Sequence, residues 1–289
     1  MTEPTGQKSN AEFLQGDKLY IQRARIALPI LVRQAKARES IYYSDLAAEM
    51  EMPNPRNLNF VLGAIGNALR SLEELNKTGK IPLINSIVVN KSNHLPGEGI
   101  GWFLEAKNFE KLSKNQKKEL VNQLLSEIYS YQKWDWVLRQ LGLKPLKSKI
   151  SNEVNSLKKY EKSGESEYHL RFKNYLAMNP QIFGLKENQN GKTEYQFPSA
   201  DTIDVIFEYK SEIIGVEAKS IISDEKDILR GLFQCVKYKA LVEAEQKVND
   251  QIPNCRIVLA IEKKFPKNLL SVKNLLGIEV IDDIKMNKN

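Results

Sequence analysis

Apolar residues in the first third of the chain recur every three or four positions, which is the spacing of amphipathic helices. The segment IQRARIALPILVRQAKA, beginning at Ile21, predicts a first helix, SDLAAEM a short second one, and the stripe from about Arg56 to Leu75 a longer third. The segments IPLINSIVVNK and GIGWFL then predict two strands joined by the loop Lys91 to Gly99. Three helices followed by a hairpin predict a winged helix-turn-helix domain over residues 17–104.

The second half of the chain alternates short β-branched runs with helical stripes. In order these are helix EYHLRFKNYLA, strand TEYQF, two strands within Thr202 to Ser220, a helix from about Asp224 to Glu245, strand RIVLAIE, helix PKNLLSVKNLL and strand IEVIDDI. This order predicts an α/β (α+β) domain over residues 165–289, with a mixed β-sheet flanked by helices. Residues 105–164 predict a helical connector and linker, and residues 1–16 a disordered tail.

Charged residues interrupt the apolar strands of TIDVIFEYKSEIIGVEAKS, Thr202 to Ser220. Asp204 lies in the first strand, and Glu217 and Lys219 lie in the second. Side chains two positions apart on a strand share a face, so Glu217 and Lys219 point the same way. Burying an acid and a base among Ile, Val and Ala is costly unless they are paired or hold a metal, which is why this stretch predicts a site. The alternative is an edge hairpin whose charges face solvent.

Length and composition narrow the class of protein. A chain of 289 residues is long enough for two domains. No run approaches the ~20 apolar residues of a membrane span, and MTEPTGQKSN lacks a signal-peptide pattern, so we expect a cytoplasmic protein without membrane contact. Cys235 and Cys255 form no CxxC pair, and neither His94 nor His169 has a partner at metal-ligand spacing. We therefore expect reduced cysteines and histidines that are structural or solvent-exposed.

The net charge of +7 is carried by the first half of the chain. Residues 1–150 hold 22 Lys and Arg against 15 Asp and Glu, whereas residues 151–289 hold 21 of each. This imbalance favours the first half as the contact for an anionic polymer. In a winged helix the third helix and the wing touch DNA, which predicts contacts from Arg56, Asn57, Asn59, Arg70 and Lys91. Winged helices also serve as dimerisation or protein-binding modules, which is the alternative.

Two resemblances to known families follow from these motifs. The segment ALPILVRQAKARESIYYSDLAAEM through PRNLNFVLGAIG to VVNKSNHLPGEGIGWF resembles the N-terminal winged-helix module of bacterial restriction-type nucleases. Residues 165 to about 262 resemble the PD-(D/E)xK nuclease superfamily, in its RecB-like branch with the QxxxY motif. The matching positions of the second resemblance are Glu167 before the Asn179-Pro180 turn, Asp204, Glu217, Lys219, Gln234 and Tyr238.

The second resemblance implies a restriction-endonuclease-like core and a role for each matched residue. Asp204 and Glu217, with the Ala218 carbonyl, would bind Mg²⁺, a hard cation for which Mn²⁺ substitutes, and Glu167 would bind through water or hold a second ion. Lys219 would orient or deprotonate the attacking water and stabilise the phosphate.

The flanking residues carry further implications and two open alternatives. Gln234 and Tyr238, at i and i+4 on one helix face, would brace the Lys219 neighbourhood and the DNA backbone, and Arg230 would contact a phosphate. Asp201 is a second candidate for Asp204, because the Ala-Asp-Thr-Ile-Asp lead-in departs from the family pattern, and Glu165 is a second candidate for Glu167.

These features predict a Mg²⁺-dependent DNA endonuclease, with restriction or anti-phage defence as the expected setting. One such site cuts one strand, so a double-strand break requires a homodimer or two successive events. The alternatives are a DNA-binding regulator or scaffold with an inactive nuclease-like domain, and a structure-specific repair nuclease or an RNA nuclease.

Overall fold

A computed structural model describes residues 14–76, 79–103, 111–146, 166–186 and 189–286. The chain divides into two compact units, Met1–Ser148 and Lys149–Asn289. Among the described residues, no helix is both long and apolar enough to span a bilayer. Residues 1–13 of the predicted tail, and residues 147–165 of the predicted linker with Glu165, lie outside the described residues.

The first unit is built from helices packed on one apolar core. Its elements are α1 (Leu19–Ala37), β1 (Ile41–Tyr42), α2 (Tyr43–Glu49), α3 (Leu58–Asn76), β2 (Val88–Val89), α4 (Ile100–Phe103), α5 (Lys114–Ser130) and α6 (Trp134–Gln140), with 3₁₀ turns at Pro55–Asn57 and Ile84–Ile87. Trp134 on α6 is fully buried in the same core as α1 and α3, so helices predicted as a connector contribute to this core. Leu14 is also buried there, so the predicted disordered tail, residues 1–16, extends too far.

The predicted wing hairpin is wrong in its second strand. Ile100–Phe103 is the short helix α4, and it begins with hydrogen bonds from Ile100 N to Gly97 O and from Gly101 N to Glu98 O. Glycine weakens a strand and permits such turns, which explains why residues 99–103 do not form a strand, whereas Leu104 lies outside the described residues. Strand β2 pairs instead with β1, in parallel, and Ile84–Ile87 before it forms a 3₁₀ turn.

The second unit is a five-stranded mixed sheet with helices on both faces. Its elements are α7 (Glu167–Met178), β3 (Lys192–Gln196), β4 (Thr202–Tyr209), β5 (Glu212–Lys219), α8 (Glu225–Val248), β6 (Cys255–Ile261), α9 (Leu270–Leu275) and β7 (Glu279–Ile281), with 3₁₀ turns at Pro180–Phe183 and Lys267–Leu269. The strand order is β3-β4-β5-β6-β7. The β3–β4 and β4–β5 pairs are antiparallel, whereas β5–β6 and β6–β7 are parallel. The predicted mixed sheet covered by helices is confirmed.

Helix α8 covers one face of the sheet and α7 covers the other. Leu229 and Leu232 of α8 share a buried cluster with Leu259 of β6, whereas Phe172 of α7 shares one with Val216 of β5. Alternate residues of β5 therefore meet different helices, because strand side chains alternate between faces. Glu217 and Lys219 lie on the face that α8 covers.

Leu232→Ala tests the packing of α8 on the sheet. Leu232 is 0% exposed, so its truncation leaves a cavity and should lower the free energy of unfolding by about 2–5 kcal/mol. Val236→Ala, on the same helix at a position 39% exposed, should change it by less than about 0.5 kcal/mol. Urea denaturation of both variants measures the difference, and equal effects would show that α8 is not packed in this way.

Candidate active site

The hairpin β4–β5 ends in a pair of carboxylates. Tyr209 pairs with Glu212 across a two-residue turn, and the ladder continues to Val205 opposite Val216. Beyond that pair the backbone ladder of the hairpin stops, and the Asp204 carboxylate accepts from the N–H of Ala218, the residue after Glu217. The sequence therefore brings the two acids together through the length of its turn and the pairing of its apolar residues.

The strand pairing is interrupted at Asp204. On the other side of β4, Val205 pairs with Thr193 and Ile203 pairs with Tyr195, whereas Glu194, opposite Asp204, has a φ of +56°. A non-glycine residue in this conformation is uncommon and marks a local distortion of the strand. The distortion coincides with the position at which Asp204 turns its side chain to other partners.

Asp204 binds one group with each carboxylate oxygen. His169 Nε2 on α7 donates to Oδ1 at 3.1 Å, and the Ala218 N–H donates to Oδ2 at 2.8 Å. Burial by itself would raise the pKa of Asp204, but the hydrogen bond and charge of His169 and the Ala218 N–H lower it. The hydrogen bond to Asp204 raises the pKa of His169 in turn, against the opposing effect of burial.

Glu217 and Lys219 form a buried ion pair. They are 3% and 4% exposed, and Lys219 Nζ lies 2.9 Å from Glu217 Oε1. This contact confirms that the two side chains share a face, and their burial excludes the solvent-facing hairpin. Burial raises the pKa of Glu217 to about 7, with Asp204 adding to the rise and Lys219 opposing it. Burial would lower the pKa of Lys219, but Glu217 and Asp227 outweigh it and raise this pKa.

Helix α8 supplies the remaining contacts to Lys219. Nζ lies 3.3 Å from Asp227 Oδ1 and 3.4 Å from Gln234 Oε1. Gln234 Nε2 donates to the Tyr238 hydroxyl at 3.4 Å, and that hydroxyl donates to the Thr202 carbonyl at 2.7 Å. A Cβ on Gly231 would lie 2.8 Å from Lys219 Cε, so glycine allows the helix to approach the lysine closely.

Asp201 and Glu167 do not join this cluster. Asp201 forms an ion pair with Lys237 and accepts from Ser199 Oγ, which leaves Asp204 as the acid beside Glu217. Glu167 is exposed in the first turn of α7, and within the described residues no hydrogen bond or ion pair links its carboxylate to Asp204 or Glu217. The predicted role of Glu167 in metal binding stays a prediction.

The cluster contains two residues that the sequence motifs did not indicate, His169 and Asp227. His169 was expected to be structural or exposed, but it lies on the face of α7 that Phe172 and Leu176 bury. Asp227 stands seven positions before Gln234, which places both on one helix face. Helical spacing from known anchors was the signal that could have identified both residues.

The residues predicted to contact nucleic acid lie on the first unit, apart from Arg230. Arg56 and Asn57 are exposed in the 3₁₀ turn before α3, Asn59 is exposed in its first turn, and Lys91 is also exposed. Arg70 is half-buried farther along α3. Arg230 Nη2 donates to Asp227 Oδ1 at 2.6 Å, so Arg230 belongs to the network around Lys219.

The donors at the end of the hairpin fit a hard divalent cation. Mg²⁺ prefers oxygen ligands and takes only one or two protein carboxylates, which Asp204 and Glu217 supply. The Ala218 N–H points to Asp204, and a strand residue directs its N–H and C=O to the same side, so its carbonyl faces the same region. The described residues contain no group of three or more His, Cys, Asp or Glu side chains arranged to hold a metal ion.

No protein-family model matches this chain, and no curated protein or solved structure is significantly similar to it.

The pKa of Glu217 predicts how the protein's stability depends on pH. Its ordinary value of 4.5 rises to about 7 on folding, so the folded state holds an extra proton between these values and loses stability as pH rises through them. Glu217→Gln removes this dependence, and its stability relative to wild type should increase from pH 5 to pH 8. Urea denaturation in metal-free buffer at both pH values measures the change. An equal difference in the free energy of unfolding between Glu217→Gln and wild type at both pH values would contradict the raised pKa of Glu217.

Proposed function

We propose that this chain is a divalent-metal-dependent nuclease of the PD-(D/E)xK superfamily, which hydrolyses phosphodiester bonds of DNA. The observation that carries the proposal is the convergence of Asp204, Glu217 and Lys219 at one end of the β4–β5 hairpin. Gln234, in the position of the QxxxY motif, contacts the same lysine. A mixed sheet with helices on both faces supports the restriction-endonuclease-like fold.

Asp204, Glu217 and the Ala218 carbonyl are the proposed ligands of the metal, which is Mg²⁺ with Mn²⁺ as a substitute. Once bound, the cation supplies positive charge for the phosphate oxygens and lowers the pKa of a coordinated water. Among the described hydrogen bonds none uses Glu217 Oε2, so this oxygen remains available as a ligand. The hydrogen bond from His169 orients the Asp204 carboxylate.

Lys219 presents a positive charge to the scissile phosphate. Its raised pKa keeps the ammonium protonated at neutral pH, which favours stabilisation of developing negative charge over removal of a proton from water. Asp227 and Gln234 hold the ammonium from the helix side, so that the charge is oriented before substrate binds. Tyr238 fixes Gln234 by anchoring to the Thr202 carbonyl at the start of β4.

The first unit is the proposed DNA-binding part. Its helices α1, α2 and α3 follow the order of a helix-turn-helix domain, and the start of α3 exposes Arg56, Asn57 and Asn59. The aromatic ring of Phe60 is 60% exposed beside them, and base stacking on such rings stabilises protein–nucleic acid contacts. A setting in restriction or anti-phage defence stays a prediction.

Substitutions of Asp204 and Lys219, with the neighbouring Asp201 as control, test the catalytic assignment. Asp204→Asn and Lys219→Met should each lower cleavage by at least ~100-fold, because each removes charge from the reacting centre. Asp201→Asn is the matched control, since Asp201 is paired with Lys237 away from the cluster, and it should keep activity within about threefold. The assay uses plasmid, linear and single-stranded DNA with Mg²⁺ or Mn²⁺, and EDTA should abolish cleavage.

The same assay separates the proposal from its alternatives. If wild type and Lys219→Met behave alike on every DNA, the catalytic assignment is wrong. Mg²⁺ binding that depends on Asp204 and Glu217, measured by calorimetry, distinguishes a metal site from a degenerate domain that only binds DNA. Flap, mismatched, methylated and RNA substrates identify a repair or RNA nuclease.

Arg56→Gln tests the DNA-binding surface. If Arg56 contacts a phosphate, the variant should bind duplex DNA more weakly, and the slope of log affinity against log salt should fall by about one. Lys114→Gln removes the same charge from an exposed position at the start of α5 and serves as control. Fluorescence anisotropy between about 50 and 200 mM salt measures both. An identical salt slope for Arg56→Gln and Lys114→Gln would show that Arg56 does not contact a DNA phosphate.

A further inference from the structure

The first unit contains a pocket of about 440 Å³ that the proposed nuclease chemistry does not use. This volume lies in the range of small-molecule sites, ~300–1,000 Å³. Leu62 on α3 and Ile100 on α4 contribute apolar walls, and Arg56 and Asn59, two of the predicted DNA contacts, also line it. An apolar pocket with a few polar groups is typical of a ligand site.

The oxygen of a buried amide in the pocket wall has no hydrogen-bond partner among the described residues. Asn85 is 6% exposed, and its Nδ2 donates to the Leu62 carbonyl at 2.8 Å, which fixes the orientation of the amide. Its Oδ1 is buried without a hydrogen-bond partner within the described part of the chain. A buried acceptor without a partner is unfavourable, so a ligand that donates an N–H to it would bind more tightly.

Tyr43 supplies a donor to the same pocket. Its hydroxyl oxygen accepts from the Gly97 N–H at 3.1 Å, and no hydrogen bond within the described ranges uses the hydroxyl proton, which can therefore be donated to a ligand acceptor. Burial raises the pKa of Tyr43, so the hydroxyl keeps this proton at neutral pH. The pocket therefore combines an acceptor, a donor and apolar walls, with the cationic Arg56 at its edge.

We propose that this pocket binds a nucleobase whose exocyclic amino group lies beside a ring-nitrogen acceptor on the Watson–Crick edge, adenine or cytosine, with its phosphate held by Arg56. The amino group donates to Asn85 Oδ1, a ring acceptor receives the Tyr43 proton, and the base packs on Leu62 and Ile100. The base comes either from a free nucleotide or from an unstacked position in a nucleic acid strand. This binding is separate from the nuclease chemistry and requires no metal.

Gly63 offers a way to block the pocket with little disturbance to the fold. It lines the pocket, and a Cβ built on it meets no atom within 4 Å. Gly63→Leu therefore extends a side chain into open space, and it also replaces a residue of low helix propensity. Ala48→Leu, at an exposed position on α2, adds the same apolar group outside the pocket and is the matched control.

Calorimetric titration of the full chain in metal-free buffer tests the proposal. The probes are AMP and CMP, their counterparts purine riboside 5′-monophosphate and 2-pyrimidinone riboside 5′-monophosphate, in which hydrogen replaces the amino group, and an oligothymidylate carrying one adenine or one unsubstituted purine. We expect AMP, CMP or the adenine-containing strand to bind, with at least tenfold weaker binding of the probes without the amino group. Gly63→Leu should weaken binding at least tenfold, and Ala48→Leu should not change it.

Each outcome decides a part of the proposal. Binding of AMP or CMP identifies a free nucleotide as the source of the base, whereas binding of the adenine-containing strand alone identifies an unstacked nucleotide. The proposal is overturned if none of these probes binds, if purine riboside 5′-monophosphate binds as tightly as AMP, or if Gly63→Leu, folded by circular dichroism, binds like wild type. The binding titration involves neither metal nor cleavage. A negative result would therefore contradict the proposed nucleobase site without bearing on the proposed nuclease activity.

Discussion

The buried ion pair between Lys219 and Glu217 is the constraint on which the second unit depends. Burying two charged side chains costs on the order of several kcal/mol per ion in lost hydration. The attraction between the two charges offsets this cost only when other groups also form hydrogen bonds with them. Asp227 and Gln234 provide such partners for Lys219, whereas Glu217 keeps a pKa near 7 because burial and Asp204 oppose its ionisation. An apolar pair would fit this sheet at lower cost, so the charges indicate a site rather than a stabilising feature.

Helix α8 gives this pair its geometry. The helix binds the end of β5 through Asp227 and Gln234, and the start of β4 through the Tyr238 hydroxyl. The close approach depends on Gly231, because any side chain there would meet Lys219. The two strands that carry the acids are thus held by one rigid element, which allows a site to be oriented before it binds anything.

The first unit has a different chemical character. It carries most of the excess positive charge of the chain, and it exposes Arg56, Asn57 and Asn59 where α3 begins. Arg56 and Asn59 also line a pocket in which the buried amide oxygen of Asn85 has no hydrogen-bond partner among the residues that the structure describes. The proposed contacts with phosphates and the proposed recognition of a base therefore both rest on residues of this unit and not on the acidic cluster.

Local periodicity determined the sheet and the helices of the second unit, and it placed Glu217 and Lys219 on one face of their strand. It could do so because the alternation of side chains along a strand and the length of a hairpin turn depend only on residues that are close in sequence. Only the tertiary structure selected Asp204 over Asp201, brought in His169 from 35 positions earlier and added Asp227. These contacts depend on how α7 and α8 pack on the sheet, which local patterns do not encode. The second strand of the predicted wing was wrong because hydrogen bonds around Gly97 and Gly101 start a helix there. Local sequence patterns therefore predict the charged hairpin, and the packing of α7 and α8 on the sheet decides which other side chains contact its charged residues.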